Sequence, residues 1–200
     1  DNFKTDPTIL IGGNLPQYHG NVKIGKSDYF VTEACEYMDS FLSLRPKIEI
    51  ILNIDSDHLD YFKDMEHIVN SFDKFAALIP NDGMIFAYDA NRFVSGIIQN
   101  DELRDRVVTY GFSPHSDFYS SNIKFDNNGY PSFDVYNRGT LLGRVQLSVP
   151  GEHNISNAMA SIACCYTLGV SIESMIETLK DFTGTQRRFD IIGETSNNVR

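Results

Sequence analysis

IEIILNI, residues 48–54, is aliphatic and mostly β-branched, interrupted only by Glu49 and Asn53. Such a run reads as a central strand, covered on both faces in a parallel sheet. The residues downstream narrow the fold further. A helical stripe of Ile68, Phe72, Phe75 and Ile79 begins near Asp64 and stops at Pro80-Asn81-Asp82-Gly83. Met84 to Tyr88 then reads as a strand, Phe93 to Ile98 as a short helix, and Val107 to Gly111 as a strand. That β-α-β-α-β alternation predicts an α/β fold with a mostly parallel, doubly wound sheet.

The pattern changes on both sides of this core. Upstream, Thr8 to Ile11 reads as a strand ending at Gly12-Gly13, and Tyr29 to Thr32 as another. Downstream, Asn122 to Phe125 and Ser132 to Tyr136 flank Asn128-Gly129, a strong hairpin signal, and Gly139 punctuates a return into Leu141 to Val149. This is an antiparallel β excursion. Two amphipathic helices come next, Asn154 to Leu168 and Ser171 to Phe182, with Ser171 as the expected N-cap of the second.

A net charge of −10 argues against a protein that neutralises a nucleic-acid backbone or an anionic membrane. No apolar run approaches the ~18 residues of a membrane span, and the opening DNFKTDPT lacks the apolar core of a secretory signal. Cys164 and Cys165 are adjacent and badly placed to pair, so with Cys35 they outline no disulfide framework. A reduced, cytoplasmic setting is expected.

GNVKIGKS, Gly20 to Ser27, fits the phosphate-loop pattern G-x-x-x-x-G-K-[ST]. That loop works only between a strand that feeds it and a helix whose N-terminus meets the phosphates. Here PQYHG occupies the place of the strand. We read the stretch as a polar turn with a solvated Lys26; a small P-loop kinase using Lys26 is the rival.

Four other stretches hold chemistry-bearing side chains. NIDSDHLDYF, Asn53 to Phe62, leaves the C-terminal end of the best strand, where open α/β sheets bind ligands, and carries Asp55, Asp57, His58 and Asp60. Carboxylates beside an imidazole suit a divalent metal or a general base; equally, the acids could cap the next helix while His58 satisfies a loop carbonyl. TEACEYMDSF, Thr32 to Phe41, offers Glu33, Glu36 and Asp39, with Glu33 the one expected at the sheet's mouth. PGEHNISNA, Pro150 to Ala158, sets Asn154 and Asn157 on one helical face, and an asparagine amide matches the N6/N7 edge of adenine. Helix capping by Asn154 is the plainer alternative. Arg187 and Arg188 suit phosphate or carboxylate, or simply a solvated turn.

Together these stretches resemble the Mur ligases. TEACEYMDSFL resembles the family's E-A-x-E-x-x-x-S-F-L segment, ILNIDSDHLDYF its N-I-x-x-D-H-x-D, PGEHNISNAMASIA its G-x-H-N-x-x-N-A-x-A-A, and GTQRRFD its R-R-F. Within the family the likeness is greatest to members that join L-alanine to UDP-N-acetylmuramate, with the recycling members that attach a whole peptide as the alternative. The resemblance implies that Glu33 and His58 contact a catalytic divalent metal, Mg2+ or Mn2+. It also implies that His153, Asn154 and Asn157 surround the adenine of ATP, with Arg188 beside the ribose and phosphates. An imidazole ligand is unusual for magnesium, which favours oxygen, and is easier for manganese or through a water.

The family's own phosphate loop, G-K-T-T, precedes the segment matching Thr8 to Gly13, so the resemblance also sets GNVKIGKS aside. It implies that residues 1–190 form most of a central ATP-binding domain and that residues 191–200 open a connector. The sugar-nucleotide and amino-acid domains would lie outside, so the 200 residues alone are expected not to ligate alanine. A bacterial cytoplasmic setting is implied; oligomeric state is not.

Overall fold

A computed structural model describes residues 5–15 and 18–185. The expected connector at 191–200, the last residues of the 1–190 domain, and Arg187 and Arg188 lie outside the described residues. Among the described residues nine strands form two sheets.

The smaller sheet comprises β1 (Thr8–Leu15), β2 (Gly20–Lys23) and β3 (Phe30–Thr32), in the order β2-β1-β3. β1 runs on through Gly12-Gly13 instead of stopping there. The phosphate-loop alternative fails on this geometry. The first four residues of GNVKIGKS are β2, hydrogen-bonded antiparallel to β1, and the chain after Ser27 enters β3, not a helix. The exposed Lys26 uses its backbone N–H on Asp6, and the turn closes against the Asp6–Pro7 backbone at Gly25, where a Cβ would overlap the Asp6 carbonyl.

The larger sheet comprises β4 (Ile48–Ile51), β5 (Met84–Tyr88), β6 (Val107–Gly111), β7 (Phe118–Phe125), β8 (Pro131–Asn137) and β9 (Thr140–Gln146), side by side in chain order. From β4 to β7 neighbours run parallel, and from β7 to β9 antiparallel, as the alternation and the hairpin after it predict. Gly129, at φ 81, supplies the left-handed turn residue between β7 and β8.

Helices cover both faces. Ile85 and Ala87 of β5 point to one side, where Ile68 and Ala76 of α1 (Met65–Ala76) and Ile97 of α2 (Ser95–Gln99) meet Ile51 and Ile54. Phe86 points to the other, into Tyr110, Phe118, Phe133 and Val145 packed under Ile155, Met159 and Ile162 of α3 (Glu152–Thr167) and Met175 of α4 (Ile172–Asp181). Period-two alternation along β5 therefore feeds two separate apolar cores. Helix starts obey local chemistry: Asp64 accepts from the His67 N–H, and Ser171 from the Ser174 N–H.

Contrary to its composition, the Ile48–Ile54 run is not central among the described residues: β4 spans only Ile48–Ile51 and pairs with β5 alone, leaving Ile50 and Leu52 exposed. The apolar run reports burial of one face, through Ile51 and Ile54, and not the presence of neighbours in the sheet plane. β5, by contrast, is covered on both faces and paired on both edges.

Candidate functional site

Beyond β4 the chain runs through Asn53–Asp57 into a turn at His58, whose φ of 52 places it in the left-handed region. Hydrogen bonds from the Tyr61 and Phe62 N–H groups to the His58 carbonyl close this turn. The Asp57 carboxylate folds back to accept from the His58 N–H at 2.7 Å. Facing it is a 3-10 segment, Tyr37–Ser43, kinked by left-handed Met38 and Asp39 and preceded by Glu36.

Glu36, Asp57 and His58 converge here. One donor atom from each lies within 4.8 Å of the others, the one such group of three among the described residues. The Nε2 of His58 is 3.9 Å from Oε1 of Glu36, both side chains about one-third exposed. A cleft of about 260 Å³ beside them is lined by Glu36, Asn53, Asp55, Asp57, Phe62 and Phe72. Two carboxylates and one imidazole form a mixed oxygen and nitrogen donor set suited to manganese and tolerated by magnesium.

The helix-capping alternative for these acids is not realised. Asp64, not Asp55, Asp57 or Asp60, caps α1. Asp55 accepts from the Ser56 N–H, and Asp60 from the Tyr37 hydroxyl.

Glu33 occupies a different position. It lies just past β3, is exposed, and its Oε2 accepts from the Gly12 N–H at 2.5 Å. A Cβ at Gly12 would fall 2.8 Å from that oxygen, so the glycine makes the contact fit. Glu33 is not a member of the His58 group. The E-A-x-E segment already carried the alternative, since Glu36 is its second acid, but spacing alone does not tell which glutamate turns toward the neighbouring loop.

Asp39, three residues beyond Glu36, accepts hydroxyl bonds from Ser71 and from Tyr61, the latter at 2.6 Å. Burial pushes its carboxyl up, yet these donors hold it below the ordinary range.

The second group of sequence-predicted residues opens α3. Gly151, at φ 96, is the N-cap, and Asn154 is not: its side-chain amide donates backward to the Pro150 carbonyl at 2.7 Å. Asn157 donates to the Asn154 Oδ1 at 3.4 Å, so the two amides do share one face. His153 is exposed beside Gly151. Arg188 lies outside the described residues. Among the described residues no helix is long and apolar enough to cross a membrane.

Known proteins share both the pattern and the shape. The Mur ligase middle domain family matches residues 11–165. A UDP-N-acetylmuramate--L-alanine ligase of Caldanaerobacter subterraneus subsp. tengcongensis is 50% identical over 96% of this chain and 42% of its own length. The chain thus spans about two fifths of the curated relatives it matches. A solved UDP-N-acetylmuramate:L-alanyl-gamma-D-glutamyl-meso-diaminopimelate ligase from Neisseria meningitides aligns with a TM-score of 0.77 at 26% identity, covering 93% of this chain and 60% of that one. A UDP-N-acetylmuramate-alanine ligase of Thermotoga maritima gives 0.79 at 24% identity over 98% of this chain and 43% of its own, a likeness of fold alone. Matched over most of its length in sequence and over nearly all of it in fold, the chain belongs to the Mur ligase middle domain family.

Proposed function

We propose that this chain is the central ATP-binding part of a ligase that joins L-alanine to UDP-N-acetylmuramate in bacterial peptidoglycan synthesis. The observation that carries this reading is the 50% identity, across 96% of the chain, to a protein named for that reaction. The peptide-adding alternative has weaker support, because the solved ligase named for a peptide is 26% identical. On this reading the enzyme works in the bacterial cytoplasm.

In the proposed reaction the lactyl carboxylate of the sugar nucleotide attacks the γ-phosphate of ATP and expels ADP, and the alanine amine, losing a proton, then displaces phosphate from the acyl phosphate to leave the amide. The imidazole of His58 and the carboxylates of Glu36 and Asp57, with Glu33 as the resemblance implies, are the groups offered to a divalent ion. When bound, Mg2+ or Mn2+ would neutralise charge spread over the transferring phosphoryl group. Asn154 and Asn157 present paired amides for the adenine edge, with His153 beside them and Arg188 toward the ribose and phosphates. Glu33 ties the smaller sheet to itself through Gly12, which keeps that carboxylate at the end of β3.

The test is phosphate release by the complete ligase given ATP, UDP-N-acetylmuramate and either L-alanine or the stem tripeptide. Release with alanine supports the reading. Release with the tripeptide alone selects the recycling alternative, and release with neither overturns both.

A further inference from the structure

The β4 ladder ends where Ile51 pairs with Ala87. Outside that ladder, no backbone-to-backbone hydrogen bond reaches residues 52–57 among the described residues. Yet this stretch carries the chain from the sheet to His58. Two side chains from further along the sheet hold it instead. Tyr110, buried on β6, reaches past β5 and donates its hydroxyl to the Ile51 carbonyl at 3.1 Å. Asn91, in the turn between β5 and α2, donates its amide to the Ile54 carbonyl at 3.0 Å. The two bonds bracket the exit from β4.

Asn91 is itself held from behind. Its Oδ1 accepts from the Phe93 N–H at 2.9 Å and the Val94 N–H at 3.3 Å, so the amide has one orientation that satisfies every partner. Ile54 is 1% exposed in the core beneath α1 and α2, so its carbonyl cannot turn to water without moving a packed side chain. Further along, Asp55 accepts from the Ser56 N–H and Asp57 from the His58 N–H. Those bonds shape the loop locally but do not tie it to the sheet. An asparagine after β5 thus fixes the backbone of the loop after β4, four residues before His58.

We propose that Asn91 is a positioning residue for His58: its bond to the Ile54 carbonyl fixes where the loop leaves the sheet, and so where the imidazole stands at the sheet's mouth. This rests on the reading that His58 serves the ligation reaction. Asn91 acts through the backbone of residues 54–58 and not on substrate.

The experiment compares the complete ligase with its Asn91→Ala, Asn91→Asp and His58→Ala variants. Aspartate keeps an acceptor for the Phe93 and Val94 N–H groups but has no amide to give Ile54, so it separates the bond from the turn. Deuterium uptake by the peptide spanning residues 52–58 is read without nucleotide or metal; kcat and KM for ATP are read from phosphate release. Both Asn91 variants should speed that uptake roughly three- to tenfold, the scale of one lost hydrogen bond. Both should lower kcat by a similar factor with KM for ATP near the parent value, because Asn154 and Asn157 on α3 keep their own bonds. Parent-like behaviour of Asn91→Asp beside a defective Asn91→Ala overturns the proposal, assigning Asn91 to the α2 turn alone. Faster uptake across α1 and α2 as well as the loop also overturns it, as general loosening of the fold. Parent-like uptake or kcat in both Asn91 variants, with His58→Ala inactive, overturns the positioning role and leaves that of His58 standing. Parental turnover by His58→Ala overturns the reading of His58, and the proposal with it.

Discussion

Nε2 of His58 and Oε1 of Glu36 are 3.9 Å apart, too far for a hydrogen bond and within the span of two ligands on one ion. The pair comes from segments 22 positions apart in the chain, joined in space by the return of the chain after β4.

On the proposed function, substitution at this pair should remove turnover in the complete ligase. His58→Ala and Glu36→Gln are each expected to lower kcat/KM for ATP by more than about 100-fold, because transition-state charge then loses several kcal/mol of stabilisation. Glu33→Ala should do the same if its carboxylate reaches the ion as the family resemblance implies. Steady-state phosphate release at saturating Mn2+ measures all three. A variant with near-parental rates removes that residue from the site.

Asn154 and Asn157 should report on base recognition. Asn157→Ala is expected to raise KM for ATP about tenfold with a smaller change in kcat, and to narrow the preference for ATP over GTP. Asn154→Ala should cost more, since it also removes the bond to the Pro150 carbonyl. Paired ATP and GTP kinetics check this, and an unchanged nucleotide preference would place the adenine elsewhere.

Glu49 should make stability depend on pH. It is 2% exposed on β4, neither carboxylate oxygen has a hydrogen-bond partner, and burial pushes its pKa up to about 8. Between the ordinary value of 4.5 and about 8 the folded protein keeps a proton that the unfolded chain has released. Its contribution is therefore complete below pH 4.5 and is lost as pH rises through about 8, with a slope of at most ~1.4 kcal/mol per unit. Urea unfolding of the parent and of Glu49→Gln at pH 5, 6.5 and 8 should show the parent weakening relative to the variant. Parallel curves would mean that the carboxyl finds a partner.

The three thiols should separate by reactivity. Cys35 is exposed, whereas Cys164 and Cys165 are partly covered on α3 and burial pushes both up, Cys164 to about 12. A thiolate-selective reagent near neutral pH is expected to label Cys35 first and the α3 pair only on unfolding. Peptide mapping after timed labelling decides it.

Local order was legible without coordinates. The α1 stripe, the Asn128-Gly129 hairpin and the Ser171 cap all depend on side chains within a few positions of each other and appear where their chemistry requires, although α1 itself ends at Ala76, short of the expected stop at Pro80. The helical stripe likewise predicted that Ile68 and Ile79 enter the core, because a helix presents its faces by geometry alone. The motif order was equally legible, and with it the family.

Tertiary structure decided the rest. Strand order moved the Ile48 run to a sheet edge, since an apolar run records what covers its faces and not what pairs with its edges. It also turned Gly20–Lys23 into a strand by pairing it with β1. Which glutamate meets His58 was settled by backbone no local pattern announces: left-handed Met38, Asp39 and His58 bring Glu36 inward while the Gly12 N–H takes Glu33. Caps and periodicities are interactions along the chain, whereas the meeting of Glu36 with His58 is an interaction between loops, and its geometry exists only once the sheet has set where those loops end.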